Sequence, residues 1–399
     1  MKQKPPFEPE DPDFQRDPYP VFAELRRRPV FFHEPWQQWI VTRYADVDRI
    51  LRDRRFGRVL PEQEAALPQL PSFTRIQSRS LMELEPPDHT QLRRLVQGVF
   101  TPKHVRQLEA GIAAHVDELL DDLDARPERR ADLLEDFAQP IPIRVIADLL
   151  GIPGSDRHRL AGWSQDIIAL FEPAPSEAAQ RAGERAAAEF SECIERCVEV
   201  KTSEPEDDLL SRLAALHRED PNVPTLDEIV SNAILLLNAG HEAVANVIGN
   251  GLRALCLHPD ERRRLERDPG LGASAVEEMM RWDTPVPLFD RFALEDAEVG
   301  GHTYRRGDGI AVYLGSANRD PEVFDDAERF DVGRSPNPHV AFGLGTHFCL
   351  GAPLGRLELN VILPRLLARW PALQLDDERP ARFRPANVFH VLDGLWCRY

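Results

Sequence analysis

Phe342-Gly343-Leu344-Gly345-Thr346-His347-Phe348-Cys349-Leu350-Gly351 is the stretch whose reading decides the fold. It joins a Phe, glycines two apart, a His, a Cys and a closing Gly. Glycines let a backbone turn tightly and approach a flat ligand closely. From Leu350 the pattern reads helical to about Trp370, so Cys349 sits where a loop becomes a helix. The free N–H groups and partial positive charge of a helix N-terminus favour a thiolate over a thiol. A single anionic sulfur on a Gly-braced loop suits an axial ligand of haem iron.

The motif fills every fixed position of the pattern F-G-x-G-x-H-x-C-x-G, and in this it closely resembles the haem-binding signature of the cytochrome P450 family. The resemblance implies haem b (iron protoporphyrin IX), with Cys349 as the iron ligand and Phe342, Gly343 and Gly351 shaping the loop around it. It also implies a fold that is mainly α with a small β region, a single domain over residues 1–399, led by a polar, Pro-rich segment at 1–16.

The rest of the composition agrees with this class. The chain has 399 residues, and 49 basic against 67 acidic side chains give a net charge of −18. That balance argues against nucleic acid and against an anionic membrane surface as partners. The five Cys form no closely spaced set that would frame disulfides. Cys193 and Cys197 share a helix face and read as core. No apolar run suits a signal peptide or a membrane span, so a cytoplasmic protein without a membrane anchor is expected, as a monomer.

Most of the chain has helical periodicity broken by Pro and Gly. Helices are expected at Tyr19–Arg28, Tyr44–Leu51, Asp88–Phe100, His104–Leu123, Ile141–Leu150, Asp156–Phe171, Ser176–Val200 and Gly270–Trp282, with strands at Trp39–Thr42 and Gly309–Leu314. Gly57–Ser80 reads as a long loop. Thr225-Leu226-Asp227-Glu228 is a capping box opening a helix that runs to about Leu257, roughly 45–50 Å at 1.5 Å per residue.

Glu278 and Arg281 are three apart on a predicted helix, a spacing that permits a same-face pair. They match the family's E-x-x-R motif, and by resemblance Arg329 completes a buried Glu–Arg–Arg network of structural purpose. The family's propionate-binding positions fall on His89, Arg93, Arg291 and His347, cations suited to carboxylates. In the long helix, Asn238-Ala239-Gly240-His241-Glu242-Ala243 lies where the family reads A-G-x-(D/E)-T. Gly240 would let the helix pass close to the haem, and Glu242 fills the acid position. The threonine is replaced by Ala243, which offers no hydrogen bond to the proton delivery that O–O cleavage requires. Positioned proton delivery commonly supplies about 10²–10⁴-fold in rate.

By resemblance, Phe73, Ile76, Phe171, Leu235, Asn238, Ala239, Val286 to Phe289 (with Leu288), Val388 and Phe389 line the substrate pocket. They are mostly apolar, with Asn238 as the polar handle. The activity implied is monooxygenation: one atom of O2 inserted into a small, largely apolar substrate by hydroxylation or epoxidation. Nothing resembles a flavin or iron–sulfur module, so a ferredoxin-type donor with its reductase is expected to supply electrons, docking near Arg94, Lys103, Arg106 and Arg356. Ala243 leaves oxidative coupling, dehydrogenation or peroxide-driven oxidation open as alternatives. The absence of Arg between Leu226 and Gly251 speaks against a dedicated fatty-acid peroxygenase. A non-catalytic haem-based binding or sensing protein is the reading from another class.

Overall fold

The computed structural model describes residues 7–60, 70–172, 175–384 and 389–399. Helices dominate. The longest, Leu226–Leu257, crosses the molecule as one uninterrupted element of 32 residues. Its start is set by the capping box: the Thr225 hydroxyl accepts from the Glu228 N–H at 3.2 Å, and the Glu228 carboxylate accepts from the Thr225 N–H at 2.8 Å. It packs against Pro140–Leu150, Gly272–Trp282 and the helix that follows the Cys loop, Ala352–Arg369. Apolar residues of these helices form the main core cluster.

The larger sheet sits to one side. Its strands are β1 (Val30–His33), β2 (Gln38–Val41), β3 (Phe56–Gly57), β4 (Leu288–Ala293) and β5 (Gly309–Tyr313), in spatial order β1-β2-β5-β4-β3. The β2–β5 pair is parallel, and the others are antiparallel. The middle strands β2 and β5 are apolar in sequence because both of their faces are covered.

Two expectations need correction. The expected loop at Gly57–Ser80 contains a helix, Pro71–Ser78, with Pro at its first turn. Its caps come from elsewhere: the Glu184 carboxylate accepts from the Ser72 and Phe73 N–H groups at 2.8 and 3.0 Å, and Arg75 pairs with Asp227 and Glu195. Such short helices are marginal alone, and no local signal encodes a cap that arrives from residue 184. The expected helix His104–Leu123 is two, Pro102–Gln107 and Glu109–Asp124. Helices Leu209–Glu219 and Pro259–Arg267 were not expected.

Candidate active site

The Cys loop is built by backbone geometry. Gly343 and Gly345 have φ of 64° and 70°, the left-handed region that glycine enters without penalty. A Cβ at Gly345 would collide with the Leu51 carbonyl oxygen, so no other residue fits there. The Cys349 N–H donates to the Phe342 carbonyl at 2.9 Å and closes the loop. Burial pushes the Cys349 thiol up. The N–H groups of Gly351 and Ala352 and the guanidiniums of Arg93 and Arg356 pull it down without overcoming burial. A thiolate here calls for a further adjacent cation, which fits a metal-bound sulfur.

The loop is clamped by Glu277, a residue the sequence reading passed over. Arg356, from the helix after the Cys, donates to both Glu277 oxygens at 2.6 and 2.8 Å, while His339, before the Cys, meets Glu277 at 2.9 Å. Burial would raise this carboxyl, but Arg356 and His339 hold it down at about 2. The Arg356 guanidinium also lies 4.4 Å over the Phe342 ring. Arg356 is therefore committed to the loop, whereas Arg94, Lys103 and Arg106 are exposed.

Beside Glu277, Glu278 and Arg281 are fully buried and joined in a two-bond pair at 2.7 and 2.8 Å. Arg281 also donates to the carbonyls of Asn318, Ala327 and Arg329. The expected third partner is different. The Arg329 side chain is 59% exposed and reaches Glu261 at 3.5 Å; it contributes its carbonyl to the network, not its charge. Arg334 is the second guanidinium on Glu278, at 3.1 Å, and the Asp331 N–H and Asn337 amide complete the carboxylate's bonds. The chain turns back between Phe330 and Arg334, so the arginine five positions later is the one aimed inward. Asn318 ties the network to the Cys loop by accepting from the Val340 N–H at 2.7 Å.

A cluster of basic side chains lies near the His347 end of the Cys loop. His89 is buried, its Nδ1 has no partner among the described residues, and its ring is 4.5 Å from that of His347. His347 meets Glu85 at 3.3 Å. Arg291, on β4, is 4% exposed and has no carboxylate within 4 Å among the described residues. Arg58, not anticipated from sequence, joins Arg291 at the edge of the Phe289 ring, each 6.0 Å from its centroid. Burial, with His347 and Arg93 beside it, brings His89 down to about 4, and burial with Arg58 brings Arg291 down to about 10. Arg93 donates to the Thr346 and Phe348 carbonyls, at 3.5 and 2.7 Å, and so braces the loop. Buried guanidinium without a counter-ion is costly. An unpartnered imidazole nitrogen and an unpaired buried arginine together fit a ligand bearing carboxylates, as haem does with its two propionates.

The middle of the helix Leu226–Leu257 supplies the facing wall. Leu235, Leu236, Ala239, Gly240, Ala243 and Val244 retain access in a helix that is otherwise mostly buried, and Ala239 is exposed. This spacing is one helical stripe. Val244 comes within reach of Gly355, whose Cβ would lie 3.7 Å from it, so the stripe and the Cys helix approach each other here. At Gly240 a Cβ would meet the Ile146 side chain at 3.0 Å, so glycine also eases the approach of helix Pro140–Leu150. Asn238 is buried, and its Oδ1 has no partner among the described residues. Glu242 is buried and 3.6 Å from the part-exposed Arg384; burial raises its carboxyl, and Arg384 and Asn246 offset this in part. Ala243 lies on the accessible stripe with no polar atom to offer.

Of the other expected pocket residues, Phe73 and Ile76 are buried on helix Pro71–Ser78, and Phe73 meets the half-exposed Phe171 ring edge-on at 5.7 Å. Leu288 and Phe289 begin β4, Val286 precedes them, and Phe389 shares a small cleft with Leu288. Val388 lies outside the described residues.

The cytochrome P450 family model matches residues 36–268 and 272–391. The chain belongs to the cytochrome P450 family. The family consists of haem enzymes that incorporate oxygen into organic substrates, so this cytochrome P450 is an oxidoreductase. It is 39% identical to the cytochrome P450 monooxygenase PikC of Streptomyces venezuelae, over 91% of this chain and 86% of that one. It is equally identical, 39%, to the mycinamicin IV hydroxylase/epoxidase of Micromonospora griseorubida, over 88% of this chain and 85% of the relative. Its structure superposes with a TM-score of 0.91 on P450BioI, solved with an acyl carrier protein bearing hexadec-9Z-enoic acid, at 33% identity over 97% and 99% of the two chains. The expected fold, mainly α with small sheets, is thereby established. No helix among the described residues is long and apolar enough to cross a membrane.

The cation cluster makes a specific prediction. An Arg–carboxylate bond of this kind is worth about 1.5–3 kcal/mol. Arg291→Ala is expected to weaken haem retention about 10–100-fold, read by transfer to apomyoglobin. The apo-protein, relieved of an unpaired buried charge, should melt no lower than the parent. A fall in both would assign Arg291 to packing instead.

Proposed function

We propose that this P450, one domain over its whole length, holds haem b through Cys349 and inserts one atom of O2 into a small, largely apolar organic substrate. The observation that carries this reading is the buried Arg291 guanidinium without a carboxylate partner, together with the unpartnered His89 Nδ1 near the Cys349 loop, among the described residues. Haem, when bound, supplies the activation of O2. The chain's own residues do the rest. His89, Arg291 and Arg58 take the propionates, with His347 and Glu85 beside them, while Arg93, Arg356 and Glu277 keep the sulfur in place. Leu235, Ala239, Phe289 and Phe389 exclude water and orient the substrate, and the free Asn238 Oδ1 accepts a hydrogen bond from a substrate hydroxyl or amine. Hydroxylation and epoxidation are both within reach, as the name of the mycinamicin IV relative records for that enzyme.

Electrons come from a ferredoxin-type protein with its reductase, and the exposed Arg94, Lys103 and Arg106 offer it a basic landing site on an acidic molecule. The protein works as a cytoplasmic monomer. The test is direct: the reduced, carbon-monoxide-bound protein should show the Soret band of thiolate-bound haem, and NADPH with a surrogate ferredoxin and its reductase should drive substrate-dependent product formation. A protein that binds haem but consumes no reductant with any ligand would be a binding or sensing protein.

Ala243 favours a second reading at the level of proton supply. Glu242 is a buried carboxyl next to an arginine that reaches solvent, suited to carrying a proton inward. Ala243 cannot pass that proton on, so water or a substrate hydroxyl must. Peroxide-driven oxidation, in which hydrogen peroxide brings its own electrons and protons, depends less on this relay, and oxidative coupling or dehydrogenation remain alternative fates of the oxidised substrate. Ala243→Thr is expected to raise product formed per NADPH consumed several-fold and to lower peroxide release. Unchanged or poorer coupling would point to a substitute proton route already in place.

A further inference from the structure

His390 and Asp283 form a buried pair outside the elements that hold haem. Asp283 ends the helix Gly272–Trp282, and the chain then runs through Val286 into β4. His390 follows Phe389. The His390 Nδ1 meets Asp283 Oδ1 at 2.6 Å, its Nε2 meets the Gln15 carbonyl oxygen at 3.0 Å, and Tyr19 donates its hydroxyl to the same Asp283 oxygen at 3.0 Å. Both ring nitrogens thus face oxygen atoms, one of Asp283 and one of the Gln15 backbone, so the ring is held at both ends. Burial would raise the Asp283 carboxyl, but His390 and Arg319 hold it below its usual range.

The backbone of His390 is engaged as well. Its N–H donates to the Pro285 carbonyl at 3.1 Å, and its carbonyl accepts from Asn250 of the central helix at 3.0 Å. The Phe383 ring stacks on the imidazole at 3.9 Å. Arg319, the other charge nearby, lies between the Tyr19 and Trp282 rings and donates to the Trp282 carbonyl. The imidazole therefore joins Asp283 to the N-terminal segment at Gln15, while the His390 backbone joins the central helix and the segment leading to β4. An apolar pair of similar volume would serve stability as well. A ring held between two fixed oxygen atoms adds direction.

We propose that the Asp283–His390 pair is a positioning clamp that sets the separation of Val286–Phe289 from Phe389 and so governs which ligands fit between them. This rests on the reading above that those segments bound the substrate. His390 is a positioning residue: it acts through Asp283 and the segment that follows it, with both ring nitrogens turned to protein oxygens. A glutamine in its place has one donating end and cannot satisfy Asp283 and the Gln15 carbonyl together.

The test uses the haem-loaded full chain and two iron-binding probes, imidazole and 4-phenylimidazole, titrated by difference spectroscopy. Imidazole reports access to the iron, and its phenyl derivative adds contact with the walls. His390→Gln is expected to weaken 4-phenylimidazole about tenfold, short of the ~10²-fold that a misplacement of about 1 Å can cause, while imidazole changes less than about twofold on the same scale. Equal shifts for both probes, or none, would overturn the clamp. Leu288→Ala and Phe289→Ala separate the two readings. If neither alters the ratio of the two affinities, the pocket assignment fails. If they alter it and His390→Gln does not, the clamp alone fails. Should His390→Gln not yield folded protein, Tyr19→Phe, which removes one hydroxyl from Asp283, is expected to shift the ratio in the same direction and is judged by the same outcomes.

Discussion

Cys349→Ala is expected to abolish product formation, down to the background of the protein-free reaction, and to erase the Soret band of thiolate-bound haem in the reduced, carbon-monoxide-bound state. The loss should be chemical and not conformational. The loop's closure uses the Cys349 backbone N–H, which alanine keeps. Its two flanks are fastened to Glu277 by His339 and Arg356, and its outer turn to Arg93, none of which involves the sulfur. The thiol is also pushed up by burial, so the apo-protein gains little from it. The stability of the apo-protein should therefore change by about 1 kcal/mol, the usual size for a point substitution. Far-ultraviolet circular dichroism and a thermal melt check the fold, and the carbon monoxide spectrum checks the ligand. A thiolate-type band persisting in Cys349→Ala would remove Cys349 from the role proposed for it.

The second large effect concerns Glu278, and it discriminates between two arginines. Removing one member of a buried ion network leaves the others charged and unpaired, which costs about 3–5 kcal/mol. Glu278→Ala strands Arg281 and Arg334 together and is expected to reach that range or to prevent folding. Arg334→Ala should also be strongly destabilising, because Arg334 holds Glu278 and three carbonyls at once. Arg329→Ala should cost no more than the ~0–1 kcal/mol of an exposed pair, since its side chain meets Glu261 alone, at 3.5 Å, and its useful atom is a backbone oxygen. Urea unfolding of the three variants ranks them. An Arg329→Ala cost as large as that of Arg334→Ala would restore Arg329 as the network's third charge.

These two predictions differ in how much of their basis is legible in the sequence. The Cys loop is ten contiguous residues whose conformation follows from glycine placement and a closing backbone bond, so its shape is encoded locally. Glu278 and Arg281 are likewise three apart on one helix. Arg334 is not: arginines at 329 and 334 are chemically equal, and only the path of the chain between them decides which one turns inward. The same holds for Glu277. It sits next to the recognised Glu278, yet its importance comes from His339 and Arg356, which lie on either side of the Cys loop. Helix Pro71–Ser78 escaped for a related reason, because Glu184 caps it from another helix.

The sequence by itself determined the family, the Cys349 motif filled at every position, the long capped helix and the alanine at 243 where the family motif has threonine. Each of these is carried by residues close together along the chain, where covalent geometry and helical spacing dictate proximity. Tertiary structure decided what depends on distant residues meeting: that Arg58 stands beside Arg291, that Arg93 braces the loop, that Gly240 receives Ile146, and that Asp283 finds His390. Burial is the physical reason. A charged or polar side chain becomes consequential only where water is excluded and its partner is fixed, and neither condition can be read from a position in the chain.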